Sequence, residues 1–144
     1  MTDAVTIARR WFQAHDAIDY PALEAVLHPD VEVRSLFRQQ PARGRPEALE
    51  HFREMMARYP DLLLRIEVGP VAAGADSGGT RVFASVVFTG HYVGDVEPVD
   101  VADGRQLAVP GAVELHVEDG HVRTVRTYFD KAEWLAQIGA PVPS

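Results

Sequence analysis

GRQLAVPGAVELHVEDGHVRTVRTYFDKAEWLAQIG, residues 104–139, is the stretch on which the reading of the whole chain turns. Two runs of alternating apolar residues flank Glu118-Asp119-Gly120, which predicts two long strands joined by a tight turn. A closing helix is expected from about Lys131, stopping at Gly139. From Val113 to Val117 the odd positions Val113, Leu115 and Val117 are apolar, while Glu114, His116 and then Glu118 alternate with them. One face of this strand pair is therefore greasy and the other polar. A type I turn over Val117-Glu118-Asp119-Gly120, with Gly120 as a left-handed bulge, sets Val117 opposite His121. Val113 and Leu115 then share a face with Arg123, Val125, Thr127 and Phe129.

The upstream chain supplies helices and further strands. A first helix is expected from Asp3 to about Ala17, with Val5, Ala8, Trp11, Phe12, His15 and Ile18 on one inward stripe. Asp19-Tyr20-Pro21 breaks it, and a short second helix runs through Leu27, ended by His28-Pro29. Val31, Val33, Ser35 and Phe37 alternate with Glu32, Arg34, Leu36 and Arg38, which predicts a half-buried strand whose only inward polar residue is Ser35. After a loop from Gln39 to Arg45, Pro46 opens a third helix with Leu49, Phe52, Met55, Met56 and Tyr59 on its apolar stripe, and Pro60 ends it. Leu62 to Val68 and Arg81 to Tyr92 read as strands, with Ala72 to Thr80 as a Gly-rich hairpin connection. Val93 to Asp103 is expected to be a mobile flap. Together these elements predict an α+β fold: a curved, mostly antiparallel sheet of about four to six strands wrapped around N-terminal helices, closed by a short C-terminal helix.

With 144 residues the chain is expected to be one domain, 1–144. A composition of 47% hydrophobic and 24% charged residues is that of a soluble globular protein. The formal charge of -7 argues against a nucleic-acid or anionic-membrane partner. Arg34, Arg38, Arg43 and Arg45 cluster along the sequence and read as a solvated edge. No cysteine is present, which excludes disulfides, thiolate metal sites and a cysteine nucleophile. The amino terminus lacks a signal-peptide pattern and no apolar run is long enough to span a bilayer, so a cytoplasmic location is expected.

Several short runs carry a family resemblance: Trp11-Phe12 with Ala14 and Asp19, His28-Pro29-Asp30-Val31, Gly44-Arg45-Pro46-Glu47-Ala48 followed by Phe52, and Thr89-Gly90-His91-Tyr92-Val93-Gly94-Asp95. Gly104-Arg105 with Val109-Pro110-Gly111, Asp119-Gly120-His121-Val122, Tyr128-Phe129-Asp130 and Leu135-Ala136-Gln137-Ile138-Gly139 continue it. The chain resembles the SnoaL-like branch of the NTF2-like superfamily, which includes polyketide cyclases, ketosteroid isomerases and limonene-epoxide hydrolase relatives. The resemblance implies the cone-shaped NTF2-like fold, a hydrophobic pocket at its open end and a homodimer formed through the outer sheet face. Glu67, Ser85, Thr89, His91, Glu114, His116, Thr124, Arg126 and Tyr128 would line that interface or face water.

The same resemblance locates the chemistry. SnoaL-like cyclases place an acid/base aspartate seven residues past the turn glycine and a histidine seven residues before it, which are Thr127 and Val113 here. A steroid-isomerase base would fall at Ser35, and its proton-donating aspartate near Val113. None of these positions is a carboxylate, and a hydroxyl has no accessible pKa near neutrality. Glu67 and Glu114 are sent outward by the alternation. The candidate catalytic residues left are His15, Asp130, Thr127 and Tyr92, with Trp11, Ser35, Phe37, Phe88, Val113, Leu115 and Phe129 as the candidate substrate-binding wall. His15 reads as the only inward-facing histidine, either a satisfied core histidine or a base, and Asp130 reads as a helix cap or a catalytic group. His28, His51, His91, His116 and His121 have no metal-ligand spacing and read as solvated, and no cofactor motif occurs. Two functions remain open: a small cofactor-independent enzyme of secondary metabolism acting on a hydrophobic polyketide-like or polycyclic substrate by cyclisation, isomerisation or epoxide opening, or a non-catalytic small-molecule-binding or dimeric scaffold protein.

Overall fold

The computed structural model describes residues 3–94 and 104–139. Asp3 accepts the Thr6 N–H at 2.8 Å and so caps α1 (Ala4–Asp16), whose Ile7, Ala8, Trp11, Phe12, Ala14 and His15 are buried. Asp19 in turn caps α2 (Tyr20–Val26) through the Ala22 N–H, with Pro21 in the first turn, where its missing N–H costs nothing. Then follow β1 (Leu27–Arg34), β2 (Ala42–Arg43), α3 (Gly44–Arg58), β3 (Leu63–Asp76), β4 (Gly79–Tyr92), β5 (Arg105–Glu118), β6 (His121–Phe129) and α4 (Lys131–Gln137). The strands form one six-stranded sheet in the order β2-β1-β6-β5-β4-β3. All neighbours are antiparallel except β1 and β6. The sheet's inner face carries Val82, Ala84, Val86, Phe88, Val113, Leu115 and Val125, all buried with Trp11, Phe12 and Phe52 from α1 and α3. This is the α+β fold expected from the sequence, and its helices cover the concave side. Among the described residues no helix is long and apolar enough to cross a membrane.

Some elements differ from expectation. The β5–β6 turn pairs Glu118 with His121, and both central residues, Asp119 (φ 53) and Gly120 (φ 73), take the left-handed conformation. That is a two-residue hairpin turn of the kind that matches strand twist, not the type I turn with a glycine bulge. An extra residue, Arg123, is instead accommodated within the strand, because Val117 pairs with Val122 and His116 with Thr124. The two changes cancel in phase, so Val125, Thr127 and Phe129 still share the face of Val113 and Leu115.

The first strand starts at Leu27, earlier than expected, and Pro29 is tolerated because the pairing with β6 is irregular between Leu27 and Glu32. It also ends earlier, at Arg34, so that Ser35–Arg38 is a turn closed by the Arg38 N–H on the Ser35 carbonyl. The expected connection at Ala72 to Thr80 is largely strand: β3 and β4 stay paired down to Asp76 and Gly79. Irregular pairing around Val68 breaks the inward alternation of β3 and leaves Val68 63% exposed. Ile18, expected on the α1 stripe, lies beyond the helix end with φ 53 and is exposed. Residues 95–103 of the expected flap lie outside the described residues.

Two glycines separate close approach from backbone conformation. A Cβ on Gly111 would stand 2.1 Å from the Tyr128 carbonyl oxygen and 2.8 Å from Phe88 Cε2, whereas one on Gly120 would meet nothing within 4 Å. Gly111→Ala is therefore expected to cost about 3 kcal/mol or more, and Gly120→Ala only about 1 kcal/mol for its left-handed φ. Urea midpoints at unchanged m-value measure both, and equal losses would contradict the packing argument.

Candidate functional site

Where the concave face opens, helices, strands and the turn after β1 converge on a small chamber. Trp11 and His15 come from α1, Val33 from β1, Ser35 and Phe37 from the turn after it, His51, Phe52 and Met55 from α3, and Trp134 from α4; Leu62, Leu64, Phe88, Val125, Thr127 and Phe129 complete the wall. The cavity holds about 40 Å³, room for a few water molecules at most. Aromatic packing narrows it. Trp134 lies 4.6 Å from Phe129, 5.3 Å from Phe37 and 5.4 Å from Phe88, and its Nε1–H donates to the Tyr59 hydroxyl at 2.8 Å. Burial is also what pushes the Tyr59 phenol above its ordinary value, against the lowering effect of that bond.

Of the residues singled out from the sequence, Trp11, His15, Ser35, Phe37, Phe88, Thr127 and Phe129 line this chamber. Val113 and Leu115 are fully buried but lie outside its lining. Tyr92 is half-buried, packs with its ring 5.3 Å from that of Tyr59 and tilted by 44°, and does not reach the lining. Asp130 is exposed, and its Oδ1 accepts the Glu133 N–H at 3.1 Å as the cap of α4. Glu114 points to the outer face as expected, yet it is only 7% exposed: its carboxylate accepts from Arg81 Nη1 and from the Tyr128 hydroxyl, each at 2.8 Å.

The ionisable groups of the chamber come from its helical wall. His15 is 5% exposed, stacks 5.1 Å from Trp11, and donates Nδ1–H to Asp16 Oδ1 at 3.1 Å. The same oxygen accepts the Leu64 N–H at 3.1 Å, which ties the carboxylate to β3. A proton held on Nδ1 leaves the Nε2 lone pair free, the tautomer a general base requires. A second histidine, expected from the sequence to be solvated, lines the same chamber. His51 is 8% exposed. Burial first, then the Arg38 guanidinium and His15, push its pKa down to about 4, so it is neutral at neutral pH. The signal was present: Ala48, His51, Phe52 and Met55 fall at helical spacing on one stripe. Trp11 Nε1 is buried with no hydrogen-bond partner among the described residues.

A larger groove of about 550 Å³ lies between α1, α2 and the β5–β6 turn, but of its ionisable groups Asp19 caps α2 and His121 Nδ1–H donates to the Asp119 carbonyl. Among the described residues one cluster, His28, Glu118 and Asp119, brings its ligand atoms within 4.8 Å of one another. His28 Nδ1 accepts the Asp30 N–H at 3.0 Å, so the ring proton of the neutral imidazole sits on Nε2. That tautomer offers the carboxylates a donor and does not fit a cation.

The profile of the SnoaL-like polyketide cyclase family matches residues 5–138. The chain belongs to this family. Among solved structures, a candidate polyketide cyclase from Xanthomonas campestris is 28% identical, with a TM-score of 0.75 over 92% of this chain and 94% of that one. A hypothetical protein with a ketosteroid isomerase-like fold from Catenulispora acidiphila, in complex with trimethylamine, is 21% identical, with a TM-score of 0.74 over 98% and 97%. An epoxide hydrolase of the LEH-like type from M. tuberculosis is 18% identical, with a TM-score of 0.68 over 94% and 88%. Among curated proteins nothing matches. Within this SnoaL-like frame Val113 and Thr127, the positions where the resemblance led one to expect the acid/base pair, are direct cross-strand partners on β5 and β6. Neither side chain is ionisable, so this part of the sheet wall offers no acid or base.

The depressed His51 has a consequence for stability. Its folded pKa of about 4 lies below the ordinary 6.5, so between these values the unfolded chain binds more protons and folding weakens as pH falls. At pH 4.5 this group alone is expected to cost roughly 2–3 kcal/mol relative to pH 7. His51→Gln should flatten the fall of the urea midpoint between these pH values, and an unchanged slope would show that His51 does not titrate as stated.

Proposed function

We propose that the protein is a cofactor-independent enzyme that moves a proton on a hydrophobic, polyketide-like or polycyclic substrate, in a cyclisation, isomerisation or epoxide opening. The observation that carries this reading is His15, held by Asp16 in the base tautomer with its ring in an aromatic chamber. His15 Nε2 takes the substrate proton, and Asp16 stabilises the imidazolium that forms. His51, neutral, serves as a hydrogen-bond partner that cannot compete for charge, and the unpaired Trp11 Nε1–H and the Thr127 hydroxyl are donors for an oxygen on which negative charge develops. Tyr92 and Asp130, outside the lining, take no step in this scheme. A cavity of about 40 Å³ requires Phe37 and the turn that carries it to move before a ring system enters.

That same narrowness favours a second reading, a binding or scaffold protein without turnover. Ring opening of 5-nitrobenzisoxazole, which needs one base in an apolar pocket, separates the two. The enzyme reading expects catalysis by the wild type, a loss of about 100-fold in His15→Ala, a smaller loss in Asp16→Asn and none in Asp130→Asn. Rates no better than imidazole in solution, or an unaffected His15→Ala, would leave the scaffold reading.

The outer face is proposed as a homodimer interface. Tyr128 is 42% exposed there, and Arg126 Nε is buried without a partner among the described residues. Light scattering is expected to give twice the 15.9 kDa chain mass, reverting toward the monomer in Tyr128→Lys; a wild-type monomer would rule the interface out.

A further inference from the structure

Ser35 separates the chamber from a second hollow of about 130 Å³, whose other walls are Arg34, Arg38, Gln39 and Pro41. The chain carries a net charge of -7, yet this mouth is rimmed by cations. Arg34 and Arg43 share Glu32, at 2.8 and 3.6 Å. Arg38 has no such partner: its Nε donates to the Gln40 carbonyl at 3.0 Å, and no carboxylate pairs with it among the described residues. Lys131, the only lysine of the chain, lies over the Phe37 ring at 5.9 Å and has no carboxylate partner among the described residues either. The neighbouring acid Asp130 is engaged as the α4 cap.

An unpaired guanidinium in a concave site, with an apolar wall directly behind it, is the arrangement that binds a carboxylate on a hydrophobic body. Arg38 is also close enough to the chamber to be the second cause, after burial, of the lowered pKa of His51. Its field therefore reaches the polar wall of the chamber. We infer that the ligand of the chamber is an amphiphilic anion, seated with its apolar body against Phe37, Phe129 and Trp134 and its carboxylate or comparable acidic head on Arg38 in the hollow beyond Ser35. This inference rests on the reading of the chamber as a ligand site and adds the charge of what it takes. Arg38 here is a binding and specificity residue, and Lys131 adds field at the rim without fixing geometry.

Calorimetric titration of the full chain with 4-phenylbutyrate and with its neutral amide tests the idea at neutral pH. The acid is expected to bind at least ten-fold more tightly than the amide, and raised salt should reduce the difference. Arg38→Gln should abolish the preference by lowering acid affinity far more than amide affinity, Arg38→Lys should keep part of it, and Lys131→Gln should weaken it by a smaller factor. Unchanged thermal midpoints of the variants establish that the fold is intact. Equal binding of acid and amide to the wild type, or a preference that survives Arg38→Gln, overturns the assignment of charge while the chamber reading stands. Failure of both compounds to bind overturns the two together.

Discussion

The extra residue at Arg123, set between the Val117–Val122 and His116–Thr124 pairs, holds β6 in phase with β5. A slip of one residue would turn Arg126 and Tyr128 into the chamber and send Thr127 and Phe129 out. The outer face would then lose the Tyr128 hydroxyl from Glu114, leaving a buried carboxylate with Arg81 alone. Both faces therefore select the same register, and the interior that results has no charge on its sheet side.

Given such a wall, the ionisable side chains that line the chamber among the described residues come from the helices. His15 owes its position to the α1 stripe and its tautomer to Asp16, which is in turn anchored to the Leu64 N–H. His51 sits deep enough that the imidazole stays uncharged beside it. Trp134 completes the enclosure from the far end of the chain, since its packing on Phe37, Phe88 and Phe129 depends on α4 starting at the Asp130 cap. A residue read as either cap or catalyst thus shapes the chamber from outside it.

The inner face of β4, β5 and β6 was legible because burial on one side imposes period-two alternation, and Val82, Val86, Val113, Leu115 and Val125 are all buried on it. Turn type was not, since Asp119-Gly120 satisfies both the bulged and the two-residue solutions and only pairing with the neighbouring strand chooses. The lower halves of β3 and β4 were hidden by Gly74 and Gly79, which read as loop locally but are drawn into the sheet by cross-strand pairing, with Gly78 left in the turn between them. His51 is hidden for a different reason: apolar residues define the α3 stripe, and a polar side chain on it looks like surface until its burial is seen. The site was legible in its aromatic and hydroxyl members and incomplete in its ionisable ones.

The borders of the sheet are both blunted. On one side β2 offers two residues; on the other, β3 is interrupted around Val68 and carries Pro70, which has no N–H to lend. Neither margin can template the backbone of another copy, so strand addition leading to fibrils is suppressed even though Val68 and Val71 are in contact with water. Association between chains is left to side chains, where it can be specific and can stop.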